Sequence, residues 1–501
     1  MDQGRRPPDD RFPAPVYRET VLAPLFEGVK QHHWRQQMRI NRASAIMLAA
    51  QGLLSRSEAA AILRALDDIE AAIDVPALPY TGEHEDFFFL VEAELGRRLG
   101  VETAGKLHTG RSRNDIDHTV FKMALKERLA ELLDDLLAAL GVLLEVAEAN
   151  RGTLVVAYTH GQPAQPTTYG HYLGAVIELL LRDVERLRQA SRYPDLCSMG
   201  AAAITTSGFP LDRRAMAELL GFAEVQENAY GCIAANDYLT SVHGALRLLF
   251  VHLGRFAQDL NTWTGFEIGH LQVPDGYVQV SSIMPQKRNP VAVEHLRLLC
   301  SLAAGRASAT VDALHNTPFT DVNDAEGEVQ VAGYAAFEAG RRALRLLAGF
   351  IGAARVDEAR VRRHIEEGCL TATELADSLV RAEGLSFRQA HEVVARLVKG
   401  MLARGERFAT VPQAAFTDAF AAVAGRSPRL GEADLRRYTT PEHFVAVRTL
   451  PGGPAPGPLA ASLARYRREL DEARTWLDGY RARIDGVDPR LRERARALLP
   501  D

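Results

Sequence analysis

The sequence predicts an all-α fold built around a bundle of long helices, and three observations carry that expectation. Apolar residues recur at steps of three and four over five long stretches. Aromatic residues are only 7% of the chain, while Ala, Leu and Arg are abundant, a mixture that favours long helices over a β-sandwich. The 501 residues suffice for about three domains at roughly 150 residues each and for a large core.

Taken in order, Met1 to Pro15 is polar and proline-rich with no apolar leader, so it reads as a disordered or loosely docked arm. Val29 to Leu66 reads as helical. Ser55 or Ser57 can cap a helix start there, with Glu58 three residues after Ser55. Val75 to Gly82 carries two prolines and a glycine and breaks the chain. Glu85 to Leu99 is amphipathic, and Gly105 to Asn114 is a polar loop.

The five stripes follow. Leu125, Leu129, Leu132, Leu136, Leu140, Leu143 and Ala147 form the first; Leu173, Val176, Leu180, Val184 and Leu187 form the second. Leu239, Val242, Leu246, Leu249, Leu253, Phe256 and Leu260 form the third. Val293, Leu296, Cys300, Ala303 and Ala307 form the fourth, and Phe337, Leu344, Leu347 and Ile351 the fifth. Each stripe is too narrow to be stable alone and must bury against the others, which makes a bundle. The joints Ala157–Thr168, Tyr193–Asn236 and Gly265–Pro290 are polar. The last is long and rich in Gly, Pro and Ser, the character of a functional lid. Beyond residue 365, Leu375, Leu379, His391, Val394 and Leu397 mark smaller helices, and a Pro/Gly loop at 451–458 precedes a final charged helix.

The net charge of −5 offers no general field for nucleic acid. No apolar run is long enough to span a membrane. Cys197, Cys232, Cys300 and Cys369 stand far apart with no C-x-x-C pair, so they read as reduced thiols of a cytoplasmic protein.

Chemistry concentrates in three joints. His108-Thr109-Gly110-Arg111-Ser112-Arg113-Asn114-Asp115 packs a hydroxyl, a guanidinium and an amide into consecutive positions. That set can hold a carboxylate; it also reads as a helix start capped by Asn114 or Asp115. In Tyr158-Thr159-His160-Gly161-Gln162-Pro163, a histidine sits on constrained backbone, which suits proton transfer as well as a structural role. In Ser281-Ser282-Ile283-Met284-Pro285-Gln286-Lys287-Arg288-Asn289-Pro290, the cations and the amide stand at the mouth of a long helix, a place favourable to anions. A metal at Asp115, Asp117 and His118 is not expected, because these residues do not converge from one helix face.

The third joint resembles the double-Ser, Met-Pro, Lys-x-Asn-Pro signature of the aspartase/fumarase superfamily. His108–Asp115, Met284–Lys287, Leu370–Asp377 and Phe387–Glu392 resemble the argininosuccinate lyase branch. The resemblance implies a three-domain α-helical fold, with an N-terminal domain at 1–110, a central bundle at 111–365 and a small helical domain at 366–501. It implies a homotetramer with a twenty-helix core, each active site drawing loops from three subunits. The implied reaction is β-elimination of an amine from an N-substituted aspartate, releasing fumarate without cofactor or metal, in arginine biosynthesis. By resemblance Ser281 is the base, His160 serves the leaving amine with Glu294, two turns into the helix that follows the loop, tuning it, and Lys287 and Asn289 hold the charge that develops. Ser112, Arg113, Asn114, Thr159 and Ser282 bind substrate.

The departures cluster. Val280 stands where the family carries Gly. Ile40-Asn41 replace a Gly-Ser pair, and Ser44 and Phe88 each replace a His. After the fourth stripe the branch carries a Tyr, a Gln and a Lys that hold the amino-acid end of the substrate; here Pro318 or Phe319, Asn323 and Glu326 align. Asn41, Asn323 and Glu326 are therefore candidates for the amine pocket. Three functions stay open: cleavage of argininosuccinate, the same chemistry on another N-substituted aspartate such as ethylenediamine-disuccinate, and a catalytically silent, crystallin-like structural protein.

Overall fold

The computed structural model describes residues 12–499; most of the expected N-terminal arm lies outside them. The five apolar stripes become five long helices, α1 (Arg113–Ala149), α2 (Tyr169–Ala190), α3 (Asp237–Thr264), α4 (Val291–Ala313) and α5 (Gly327–Ala353). Their stripe residues are buried, Leu125, Leu132, Leu246 and Leu344 completely so, except for Val176, which is partly buried. A sixth helix, α6 (Pro456–Asp485), lays Leu459, Leu463, Leu470 and Leu477 into the same core.

The bundle helices alternate in direction. Gly170 at the start of α2 donates its N–H to the Asn150 carbonyl just past the end of α1. At the other end, Tyr238 at the start of α3 lies against His118 in the second turn of α1. Arg297 near the start of α4 donates to Gln258 near the end of α3. Gly333 near the start of α5 meets His243 near the start of α3. The bundle thus has a near end, where α1, α3 and α5 begin, and a far end, where α2 and α4 begin. With 37 residues, α1 is about 55 Å long at 1.5 Å per residue.

The N-terminal helices pack onto the same core. Among them, Arg56–Ala72 starts at Ser55, which forms the capping box with Glu58. A separate small core at residues 369–435 gathers Leu375, Leu379, Val394, Leu397, Phe416 and Phe420. Glu374, from the Leu370–Asp377 stretch, is 1% exposed there and is held by Ser378, Arg381 and Arg448. Hence α6, although C-terminal to this small core, belongs to the bundle.

Among the described residues the fold is mostly helical, with four two-stranded sheets that the periodicity did not announce. The joint expected at Ala157–Thr168 is a hairpin of β1 (Leu154–Thr159) and β2 (Gln162–Thr168). Its prolines, Pro163 and Pro166, are tolerated because a two-stranded ribbon consists of edges. Within the long joint, β3 (Gln279–Val280) pairs with β4 (Arg288–Asn289).

On α3 and α4, Leu248, Val251, Leu298 and Leu302 are 37–51% exposed, an apolar face that one chain leaves uncovered. The opposite extreme is Gly340 of α5, where a Cβ would land on the Phe250 ring. Gly340→Ala is therefore expected to destabilise the bundle by about 1–3 kcal/mol through overpacking, read as a lower denaturation midpoint in urea.

Candidate active site

Helix α1 begins at Arg113 because Ser112 is extended and its hydroxyl accepts the N–H of Asn114. The cap is thus Ser112, not Asn114 or Asp115. Asp115 stands three residues on and reaches back to the Ser112 N–H at 2.9 Å, the reciprocal half of a capping box. Its other oxygen accepts the N–H groups of Gly200 and Ala202 at 2.9 and 3.0 Å. Burial outweighs these three donors and pushes the Asp115 carboxyl up to about 6. One fully buried carboxylate thus fixes both the helix start and the loop that covers it.

Arg113 donates through Nη1 to Glu85 (3.0 Å) and Asp86 (2.9 Å) and lies over the Phe89 ring. Asn114 donates to the Ala203 carbonyl at 3.0 Å and to Asp321 at 2.9 Å. Behind Asn114 the near end is acidic. A ring nitrogen of His118 and oxygens of Asp321 and Glu326 lie within 4.8 Å of one another. They are the one set among the described residues with spacing suited to a metal ion. Burial, then the neighbouring Asp321, pushes Glu326 up to about 7. Burial likewise raises Asp117 and lowers His118 to about 3, which keeps it neutral.

Of the three amine-pocket candidates, only Glu326 joins this group. Asn323 is exposed on the neighbouring short helix. Asn41 is buried and accepts from Arg111 at 2.8 Å. Arg111 is mostly shielded from solvent, and that desolvation lowers it to about 10. Ser44 lies 3.4 Å from the same guanidinium, and the Phe88 ring packs against His108. Two of the sequence departures, Asn41 and Ser44, therefore meet at Arg111, and a third, Phe88, packs on His108.

The other motif residues occupy the far end. Thr159 and His160 close the β1–β2 hairpin, and both His160 (φ 54°) and Gly161 (φ 71°) are left-handed, the geometry of a type I′ turn. Ser281 to Lys287 form the β3–β4 loop. The Ser281 hydroxyl accepts the Met284 N–H at 3.1 Å. Asn289 donates to the Gln279 carbonyl at 3.1 Å, while Ser282 and Lys287 are exposed. Glu294, expected two turns into the following helix, stands in its first turn, because α4 begins only after Pro290. Tyr277, in the same joint, packs on Phe350 near the end of α5. In one chain, then, Ser112–Asn114 and Glu326 lie at one end of the bundle. Thr159–His160 and Ser281–Glu294 lie at the other.

Sequence reasoning missed Asp321, Asp117 and the Glu85-Asp86 pair as neighbours of the Ser112–Asn114 stretch. Asp321 and Glu326 flank the rewritten segment after the fourth stripe, and that local concentration of acid was the available signal.

Two outcomes follow from this geometry. Asp115→Ala leaves three backbone N–H groups without their acceptor and should cost about 3 kcal/mol, measured by urea unfolding. Glu326 holds its proton more tightly folded than unfolded, where a glutamate titrates near 4.3. Its stabilising contribution is full below that value and is lost as pH rises through the raised one. Glu326→Gln should therefore flatten the fall in stability between pH 5 and 8.

Residues 24–305 match the lyase family model, and residues 369–446 match the C-terminal model of argininosuccinate lyase. Argininosuccinate lyase 2 of Agrobacterium fabrum is 53% identical over 466 residues, covering 93% of this chain and 92% of that one. Argininosuccinate lyase of Methanothrix thermoacetophila is 34% identical over 458 residues, 91% of each. The solved structure of EDDS lyase in complex with formate superposes with a TM-score of 0.84 at 27% identity, covering 97% of this chain and 96% of that one. The far-end hairpin, the near-end octet and these likenesses agree: the chain belongs to the aspartase/fumarase superfamily of lyases, in its argininosuccinate lyase branch.

Proposed function

We propose that this carbon–nitrogen lyase cleaves argininosuccinate to arginine and fumarate. The observation that carries the reading is the 53% identity to argininosuccinate lyase 2 over 93% of the chain, with Ser281-Ser282, Met284-Pro285, Lys287 and Asn289-Pro290 in place in the far-end hairpin.

The chemistry asked of the site is demanding. The proton removed lies beside a carboxylate and is very weakly acidic. Its loss spreads a second negative charge onto that carboxylate, and fixed cations and amides must hold it. Lys287 and Asn289 would do so. Ser281 would take the proton; its hydroxyl already accepts the Met284 N–H, and more such donors would favour the alkoxide. The electron pair then forms the double bond as the carbon–nitrogen bond breaks. His160, with Glu294 behind it, would give the departing nitrogen its proton. Ser112, Arg113, Asn114, Thr159 and Ser282 would orient the carboxylates.

One chain holds these groups some 55 Å apart, the length of α1. A site that contains them all therefore needs the near end of one copy against the far end of another, which is an antiparallel pairing. The uncovered apolar face of α3 and α4 supports such packing, and a homotetramer fits it; of the expected 1–110, 111–365 and 366–501 division, the last would give up α6, which packs in the bundle core. The small-molecule reading needs no nucleic acid or membrane partner; no helix of the described residues is long and apolar enough to cross a membrane. The four cysteines are free and buried, in keeping with a reducing cytoplasm.

A second reading rests on a separate observation. The acidic pocket around Glu326 differs from the Tyr, Gln and Lys of the branch, and EDDS lyase shares 27% identity and the fold. Another N-substituted aspartate would then be the substrate. Fumarate absorbance with argininosuccinate and with ethylenediamine-disuccinate separates the two. Ser281→Ala should lower turnover about 10²–10⁴-fold on the true substrate; full activity in that variant would remove Ser281 as the base.

A further inference from the structure

One face of α1 carries the Tyr193–Asn236 joint. At its start, Asp115 accepts the Gly200 and Ala202 N–H groups, and Asn114 donates to the Ala203 carbonyl. Higher up, Lys126 answers the Asp195 carboxylate and the Gly221 carbonyl, a buried ion pair. Between them stands Lys122, about 10 Å along the helix from Asp115 and 1% exposed. Its ammonium donates to the Leu196 carbonyl at 3.1 Å, the Ser198 hydroxyl at 2.9 Å and the Gln226 amide oxygen at 2.5 Å. The Tyr238 ring lies 5.2 Å away. Among the described residues, every partner of this cation is neutral.

The acceptors count the protons. The Leu196 and Gln226 oxygens can only accept. The Ser198 hydroxyl gives its own proton to the Cys232 carbonyl at 3.1 Å, so it too accepts from Lys122. An ammonium has three N–H donors and fills all three places. A neutral amine has two and leaves one buried acceptor unmet. The cage thus fits the charged form while offering no counter-charge. Burial pulls Lys122 down to about 8. Cys197, Cys232 and Asp237 favour the charge and Arg213 opposes it, while His118 beside it is neutral.

This cage is also the root of the near-end loop. Leu196–Cys197 pairs in parallel with Glu224–Val225, so Lys122 ties both short strands to α1. Ser198 opens the turn that follows, its carbonyl taking the Ala201 N–H at 3.1 Å. That turn delivers Gly200 and Ala202 to Asp115, and Ala203 to Asn114.

We propose that Lys122 is a positioning residue for the elimination: through Ser198 it sets the 198–203 turn, and with it Asn114 and the Ser112 cap, so turnover requires Lys122 to keep all three protons. The proposal rests on the fumarate-releasing reading and adds a residue that lies outside the substrate-binding stretch. Loss of one proton frees an acceptor at the root of the turn and loosens the groups that orient the carboxylates.

The test uses the full chain, with argininosuccinate and ethylenediamine-disuccinate as substrates. Gln226→Glu places a carboxylate on the ammonium, the arrangement Lys126 has with Asp195, and holds the third proton to higher pH. The alkaline fall in kcat/KM should then move up by about one pH unit. Lys122→Met should raise KM roughly tenfold, the loss of a charged hydrogen bond, and should cancel the shift when combined with Gln226→Glu. Amide exchange reads the turn without turnover. Protection of the Gly200 and Ala202 amides should fall through about pH 8 in the wild type and persist in Gln226→Glu. Stability separates positioning from unfolding. Lys122 titrates lower folded than unfolded, where a lysine titrates near roughly 10.4, so its contribution to stability rises as pH climbs between the two values. The wild-type urea midpoint should therefore gain on that of Gln226→Glu over the range in which wild-type activity is lost. An alkaline limb that Gln226→Glu leaves in place, or an unmoved KM in Lys122→Met, would overturn the inference. If the wild type releases fumarate from neither substrate, the underlying reading fails, and amide protection still decides whether Lys122 sets the turn.

Discussion

Everything in this molecule follows from how its apolar stripes find burial. Each stripe covers only one side of a long helix, and a lone helix of that kind gains little by folding. Packed antiparallel, the five stripes and α6 bury one another along the whole length of α1. That solution is rigid, but it places polar joints only where helices turn, at the two ends. The residues proposed for the chemistry are thereby divided between two ends that one chain does not bring together.

What the sequence disclosed, and what it did not, divides along the same line. Spacing within one helix is a local property, so the five stripes and the Ser55–Glu58 box were readable. The β1–β2 hairpin was not, because Pro163 and Pro166 argue against strands unless one knows that both are edges. Glu294 was misplaced by a turn because the helix start depends on Pro290. The far-end signature was legible by resemblance, residue by residue. The near end was only half legible. Its motif was visible, but Arg113 meets Glu85 and Asp86 across 27 or more positions, and Asn114 meets Asp321 across 207. No periodicity records such contacts.

The near end also shows how a site can keep its scaffold while its electrostatics change. Asp115 is committed to backbone N–H groups and sets the shape. Asn41 and Ser44 are committed to Arg111 and sustain a half-buried cation. Asp321 and Glu326, by contrast, are carried on the short connection between α4 and α5, outside the bundle core. Loops of this kind accept substitution far more readily than packed helices. Change of substrate is cheapest there.

The opposed ends of α1 have a genetic meaning. In the proposed antiparallel assembly, a lesion at Asn114 and a lesion at Ser281 damage different contributors to each site. Mixed assemblies of two such defective chains contain some sites built from the sound end of each. Two alleles that are each null alone can therefore complement one another when the lesions lie at opposite ends. Two lesions at the same end cannot.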